Sequence, residues 1–187
     1  VEIVDVPKMN FLKIDGKGDP NTSQEFQDAV EALFGLCYTL KFMVKKGSLA
    51  IDYAVMPLEG LWWVDDMSKF SIGDKSDWKW TLMIMQPEFI TQEMVDKGMD
   101  ELKRKKNPAA LAKVRFESFE EGKAAQVMHI GPFSEEGPTV EKVHQFIETN
   151  EFERRGTHHE IYLSDIRRGN PANWKTVIRQ PISLKIR

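Results

Sequence analysis

The stretch His158-His159-Glu160-Ile161-Tyr162 places an acid and a phenol two residues apart in a run otherwise suited to a β-strand. Alternation along a strand puts Glu160, Tyr162 and Ser164 on one face and His159, Ile161 and Leu163 on the other. With Ile161 and Leu163 turned toward a helix of the same half, Glu160 and Tyr162 would point away from it, into a seam. A carboxylate partly withdrawn from water can pair with a ligand cation or take a proton from water. A phenol beside it can donate a hydrogen bond to an oxygen that gains negative charge. Two plainer arrangements stay open on the residues alone: Glu160 held by Lys175 or Arg179 of the following strand, or Glu160 facing solvent.

Aromatic side chains could wall such a site. Five tryptophans are present, and Trp62, Trp63, Trp78 and Trp80 lie close together in sequence. Aligning the apolar runs of the two halves puts Tyr53, in Asp52-Tyr53-Ala54-Val55-Met56-Pro57, near the place of Glu160. Tyr53, Trp63 and Trp80 are therefore the candidate ligand contacts, suited to planar or cationic organic molecules by stacking and cation–π attraction. About half of the tryptophans are expected in the core instead.

Other chemistry finds little support. His158 and His159 point to opposite strand faces, and no helical histidine pair or cysteine cluster accompanies them, so no metal site is expected. The single cysteine, Cys37, sits at helical spacing from Leu33, Phe34 and Leu40 and reads as a core thiol rather than a nucleophile. No glycine-rich phosphate loop or nucleophile elbow occurs, and no cofactor is expected.

The elements that would position these residues read as follows. Val1–Val6 and Met9–Gly16 are strand-like, and Thr22 with Glu25 forms a candidate capping box before a helix whose apolar positions run from Phe26 to Leu40 and which ends at Lys45-Lys46-Gly47. Strands are expected at Ile51–Pro57, continuing through Leu58–Asp66, and at Trp78–Pro87. A second helix starts at Thr91 and stops before Asn107-Pro108, its Lys103–Lys106 run being a solvated helix end. Lys113–Phe119 and Ala124–Gly131 read as a hairpin turning at Glu120–Lys123, and Val140, Val143, Phe146 and Ile147 mark a third helix. His159–Asp165 and Trp174–Pro181 are the last long strands, with Ile182–Arg187 closing the chain.

Trp80 precedes Gln86-Pro87 at the spacing at which Trp174 precedes Gln180-Pro181, and Ile14-Asp15-Gly16 echoes His129-Ile130-Gly131. Each half then runs strand, helix, strand, strand, with the first roughly 1–107 and the second roughly 108–187. Such a half cannot bury both faces of its sheet alone. The expected fold is α+β: a tandem pseudo-twofold repeat in one domain over 1–187, forming a mainly antiparallel sheet with helices on one face and a central ligand cleft.

Composition narrows the function classes. The chain has 187 residues and a net charge of −3, with a pI near 5.9. That charge leaves no basic field for a nucleic-acid backbone, so no direct nucleic-acid partner is expected. No apolar run approaches membrane-spanning length and no signal peptide opens the sequence, so no membrane partner is expected. The lone cysteine fits a cytoplasmic location. Acidic pairs at Asp65-Asp66, Glu120-Glu121 and Glu135-Glu136 read as solvated loops that could otherwise meet a basic partner.

Several stretches together, Pro57–Trp63, Phe119–Glu148, His158–Arg168 and Trp174–Pro181, resemble the GyrI-like small-molecule-binding family, and its stand-alone members more closely. The resemblance implies two strand–helix–strand–strand units around a cleft, with Glu160 in the position of the cleft acid that meets cationic aromatic drugs. No helix-turn-helix region accompanies the cleft domain, so a transcription-factor role is not expected. Some stand-alone relatives hydrolyse the cyclopropane of cyclopropanoid DNA-alkylating compounds with a glutamate and cleft aromatics, which makes a cofactor-independent cyclopropyl hydrolase the expected activity. Glu160, Tyr162 and Tyr53 would then be catalytic. The alternatives are a multidrug-binding sponge or sensor without turnover, and a gyrase-antagonist type of interaction module.

Overall fold

The structure is a computed structural model and describes residues 1–186. Nine strands form it together with three helices: β1 (Glu2–Val6), β2 (Met9–Lys17), α1 (Gln24–Lys46), β3 (Leu58–Trp63), β4 (Lys79–Gln86), α2 (Gln92–Lys105), β5 (Arg115–Phe119), β6 (Gly122–Ile130), α3 (Gly137–Thr149), β7 (Phe152–Arg154), β8 (His158–Tyr162) and β9 (Lys175–Leu184). The main sheet runs β1-β6-β9-β8-β3-β4-β2-β5, every neighbour antiparallel, with β7 added to the far part of β9. The α+β architecture expected from the sequence is therefore present.

The two halves match in order. β2, α1, β3 and β4 make one unit, and β6, α3, β8 and β9 the other, meeting where β3 pairs with β8. In this central ladder Gly60 faces Glu160, Leu58 faces Tyr162 and Trp62 faces His158. The register is consistent with a repeat whose twofold passes through the Gly60–Glu160 pair. Gly60, not Tyr53, is then the counterpart of Glu160. Residues 51–57 form no strand; they follow α1 as irregular chain, with Tyr53 packed edge-on against Phe89.

α1 carries its apolar stripe as the spacing predicts, burying Leu33, Leu36, Cys37, Leu40 and Val44. Its cap is Ser23 rather than Thr22: the Phe26 amide donates to Ser23 Oγ at 3.3 Å. α2 begins at Thr91 as expected and lies against α1, with Gly98 close to Leu36 and Leu40. Leu12, Ile14, Trp62, Trp80, Leu82 and Ile84 complete the core under α1, and Ala125, Ile178 and Ile182 pack against Val140, Val143 and Ile147 of α3. Both helices thus cover the same face of the sheet.

Two expectations fail on topology. β5 and β6 are not a hairpin. β5 pairs with β2, and β6 pairs with β1 and β9. Val6 faces Gly122 and Met9 faces Phe119, so the β1–β6 and β2–β5 ladders continue one register across Pro7-Lys8 and Glu120-Glu121. This long two-stranded ribbon joins the opposite ends of the sheet and curls it. On the side away from the helices it encloses Phe11, Leu61 and Met83. The last strand also runs unbroken through Pro181, because that residue's carbonyl rather than a missing amide serves the neighbouring chain, accepting from the Arg155 amide at 3.0 Å. Residue 187 lies outside the described residues.

Candidate functional site

Glu160 lies at the centre of β8 and is 5 % exposed. Its face is the reverse of the one expected. Glu160 sits opposite Ile178, whose side chain packs under α3, so it points to the helix-covered side, between the two units' cores. Ile161, His159 and Leu61 point the other way, into the enclosed side formed by the ribbon.

Neither Lys175 nor Arg179 holds the acid. His158 Nε2 lies 2.7 Å from Glu160 Oε1, and the Tyr162 hydroxyl donates to Glu160 Oε2 at 2.8 Å. Tyr162 in turn accepts from Trp62 Nε1 at 3.0 Å. Alternation gives all three residues of β8 the same side of the strand, and the β3 register brings Trp62 across from His158. Gly60 makes the indole's position possible: a Cβ there would lie 2.5 Å from Trp62 Nε1. Burial raises the Glu160 carboxyl, but the His158 contact, with Tyr162, outweighs it and holds Glu160 below its usual value, ionised. The same burial, followed by the negative charge of Glu160, keeps Tyr162 well above the ordinary phenol range, so it remains a donor.

A second carboxyl stands beside this one. Glu136, in the turn before α3, is 2 % exposed. Burial, and next the charge of Glu160, push it up to about 9. Aromatic rings surround the pair. Phe70 stacks on Trp78 at 5.0 Å and meets His158 at 5.5 Å, while Phe133 contacts Tyr162 and Trp174. A cavity of about 650 Å³ opens between the β3–β4 connection, α3 and β7, with Phe70, His144, Phe152, Arg154 and His158 in its wall. Its size suits a drug-sized ligand, and His158 separates it from Glu160.

The expected site residues divide. Glu160 and Tyr162 are joined by a hydrogen bond. Tyr53 makes none with them; its hydroxyl is buried without a partner among the described residues, and burial pushes it up to about 12. Trp80 shares their side of the sheet but is fully enclosed between Phe26 and Gly16, whose missing side chain the indole occupies. Trp63 lies on the opposite face, with Phe11, Leu61 and Met83. The rings that meet the acid's two partners are instead Trp62 and Phe133, at Tyr162, and Phe70, at His158. Sequence reading passed over Trp62, although its alternation with Trp63 meant that only one of the two could reach the acid's face.

The acidic pairs also behave differently from solvated loops. Glu121 is 3 % exposed and Glu136 is slightly more enclosed still. Glu121 holds His159 Nδ1 at 2.8 Å and Arg179 Nη1 at 3.0 Å, and His159 Nε2 reaches Glu59 at 2.8 Å. Only the partners Glu120 and Glu135, with Asp65 and Asp66, remain for a basic surface to meet.

A curled antiparallel sheet with two helix-backed units, a buried acid at their junction and an adjoining cavity define a ligand-binding domain. The chain belongs to the GyrI-like small molecule binding domain family, whose model matches residues 1–183. Among solved structures, an uncharacterized conserved protein from Listeria innocua is 43 % identical, with a TM-score of 0.90 over 97 % of this chain and 91 % of that one. A hydrolase from Listeria innocua is 42 % identical over the same shares, with a TM-score of 0.84. The C-terminal domain of EcmrR shares the fold at 12 % identity, TM-score 0.61, over 98 % and 97 % of the two chains. No curated protein matches the chain. Among the described residues no helix is long and apolar enough to cross a membrane.

Proposed function

We propose that the protein binds a planar, hydrophobic small molecule beside Glu160 and hydrolyses it, opening an electrophilic cyclopropane conjugated to a carbonyl in a cyclopropanoid DNA-alkylating compound. The observation that carries this reading is the enclosed, ionised Glu160 carboxylate, fixed by His158 and Tyr162 between aromatic rings. Such a carboxylate is a positioned base for water in a place that bulk solvent does not reach. Phe70, in the cavity wall beside His158, supplies a ring on which a flat ligand stacks. The strained ring provides the driving force, so the chemistry calls for no cofactor. The Listeria innocua hydrolase, similar over nearly the whole chain, supports turnover in a protein of this shape.

The aromatic surround of one carboxylate also suits a hydrophobic cation held without reaction. Incubation with a cyclopropanoid, followed by mass spectrometry, separates the two readings. A product heavier by one water, formed at a rate that Glu160→Gln lowers by roughly 10²-fold or more, supports hydrolysis. Saturable binding of a hydrophobic cation without any product, lost in Glu160→Gln, supports the sponge.

A further inference from the structure

We infer that Glu136 is the acid of this site, delivering a proton to the carbonyl oxygen of the ligand while Glu160 takes one from water. The inference rests on the hydrolytic reading above and adds a second catalytic residue to it.

Glu136 occupies the N-cap position of α3, yet its side chain caps nothing. It turns instead toward Glu160 and toward Thr176 of β9. Glu136 Oε1 and Thr176 Oγ1 are both buried without a hydrogen-bond partner among the described residues. Thr176 lies directly across from Tyr162, on the same face as Glu160. Two unpaired polar atoms in one enclosed place, beside an ionised carboxylate, are what a ligand oxygen or a water would satisfy.

The groups facing Glu136 fit a proton held there. From β8 come Glu160 and Tyr162, with His158 behind them on Glu160. Glu160 has His158 and Tyr162 on its two oxygens, so its charge is stabilised, while Glu136 has no cation in hydrogen-bond contact. Thr176 comes from β9, and Lys75 of the β3–β4 connection exerts a weaker pull in the opposite direction. From β6, His129 is tied to Thr139 and to the Pro132 carbonyl. Two carboxyls in contact, one of them preferentially solvated by donors, divide into a base and an acid. The amides at the start of α3 then favour the anion that Glu136 becomes after it has given up its proton.

The step balances. The water oxygen bonds to the cyclopropane methylene carbon as Glu160 takes the water proton. The ring carbon–carbon bond breaks, and its electron pair passes through the conjugated system to the carbonyl oxygen. That oxygen takes the proton of Glu136 and becomes a hydroxyl. One water is added in all, and transfer of the proton from Glu160 back to Glu136 restores the starting state.

Infrared difference spectroscopy of the ligand-free protein tests the proton directly. A carbonyl stretch from a protonated carboxyl, sensitive to deuterium exchange, is expected at pH 7, absent from Glu136→Gln and lost in the wild type as pH rises through about 9. Absence of that band in the wild type, or its persistence in Glu136→Gln, overturns the inference. The wild-type spectrum decides the matter even where the variant folds poorly. With a cyclopropanoid substrate, Glu136→Gln should lower kcat by roughly 10²-fold with ligand affinity little changed, and Glu136→Asp should recover part of the loss. Full turnover by Glu136→Gln beside an inactive Glu160→Gln overturns the acid role and leaves hydrolysis standing. No turnover by the wild type overturns hydrolysis and this step together, while the infrared band still reports whether Glu136 holds a proton.

Discussion

Gly60 and Glu160 face each other across the ladder that joins the two units, and the space above Gly60 is filled by the Trp62 indole. The absence of a side chain at one residue thus determines what stands beside the acid. Gly60→Ala would put a carbon 2.5 Å from Trp62 Nε1 and force the ring away. Overpacking of this kind costs about 1–3 kcal/mol. The Trp62–Tyr162 hydrogen bond is lost with it, so chemical denaturation should show a lowered midpoint and titration a weaker affinity for aromatic ligands.

Tyr162→Phe removes the donor to Glu160 Oε2 and leaves Trp62 Nε1 unpaired. A loss of about 1–3 kcal/mol in stability is expected from the stranded group. The Glu160 carboxyl loses a group that holds its pKa down, so the acid limb of the pH–rate profile should move to higher pH. An acid limb unchanged in Tyr162→Phe would separate the phenol from the acid's ionisation.

The two tryptophans next to each other on β3 should behave in opposite ways. Trp62→Phe should weaken binding of a planar ligand and change its fluorescence quenching, whereas Trp63→Leu should leave ligand affinity unaltered, because Trp63 packs on the far side of the sheet with Phe11 and Met83. Isothermal titration of both variants with one hydrophobic ligand makes the comparison.

Stability should depend on pH through His159. Burial alone would lower its pKa, but Glu121 and Glu59 reverse this and raise it above 6.5. The stabilisation is therefore complete below the unfolded value and is lost as pH rises through the folded one. Glu121 is opposed by burial and lowered by His159 and Arg179. Its contribution is present above the unfolded value near 4.5 and is lost as pH falls through the folded one. Urea midpoints should thus peak between about pH 4.5 and 6.5 and decline on either side. His159→Gln should lessen the alkaline decline without abolishing it, because Glu136, pushed up to about 9 by burial, loses stabilisation over the same range, and it should cost about 3–5 kcal/mol near the maximum, the usual effect of breaking a buried ion pair.

Local patterns were legible wherever one physical signal governed. Helical spacing found α1, α2 and α3, and alternation found β2, β4 and the core of β8 with Glu160 and Tyr162 on one side. What alternation leaves open is which side is which, because Ile161 and Glu160 are both buried, one by the ribbon and one by the helices. The β5–β6 connection reads as a turn from Glu120–Lys123, but pairing is decided by long-range register, and β1 and β2 offered a better continuous partner. Glu136 resembles any loop acid until α3 and β9 close over it. Tyr53 was aligned on an apolar run that never becomes a strand.

The ribbon also sets how the halves depend on each other. β1 comes from the first half of the sequence but completes the edge of the second unit beside β6, and β5 comes from the second half but completes the first unit beside β2. Each unit holds a strand lent by the other. A chain cut near 107 should therefore yield two fragments that remain unfolded apart and regain ordered structure when mixed, in the manner of a split reporter whose pieces carry each other's missing edge.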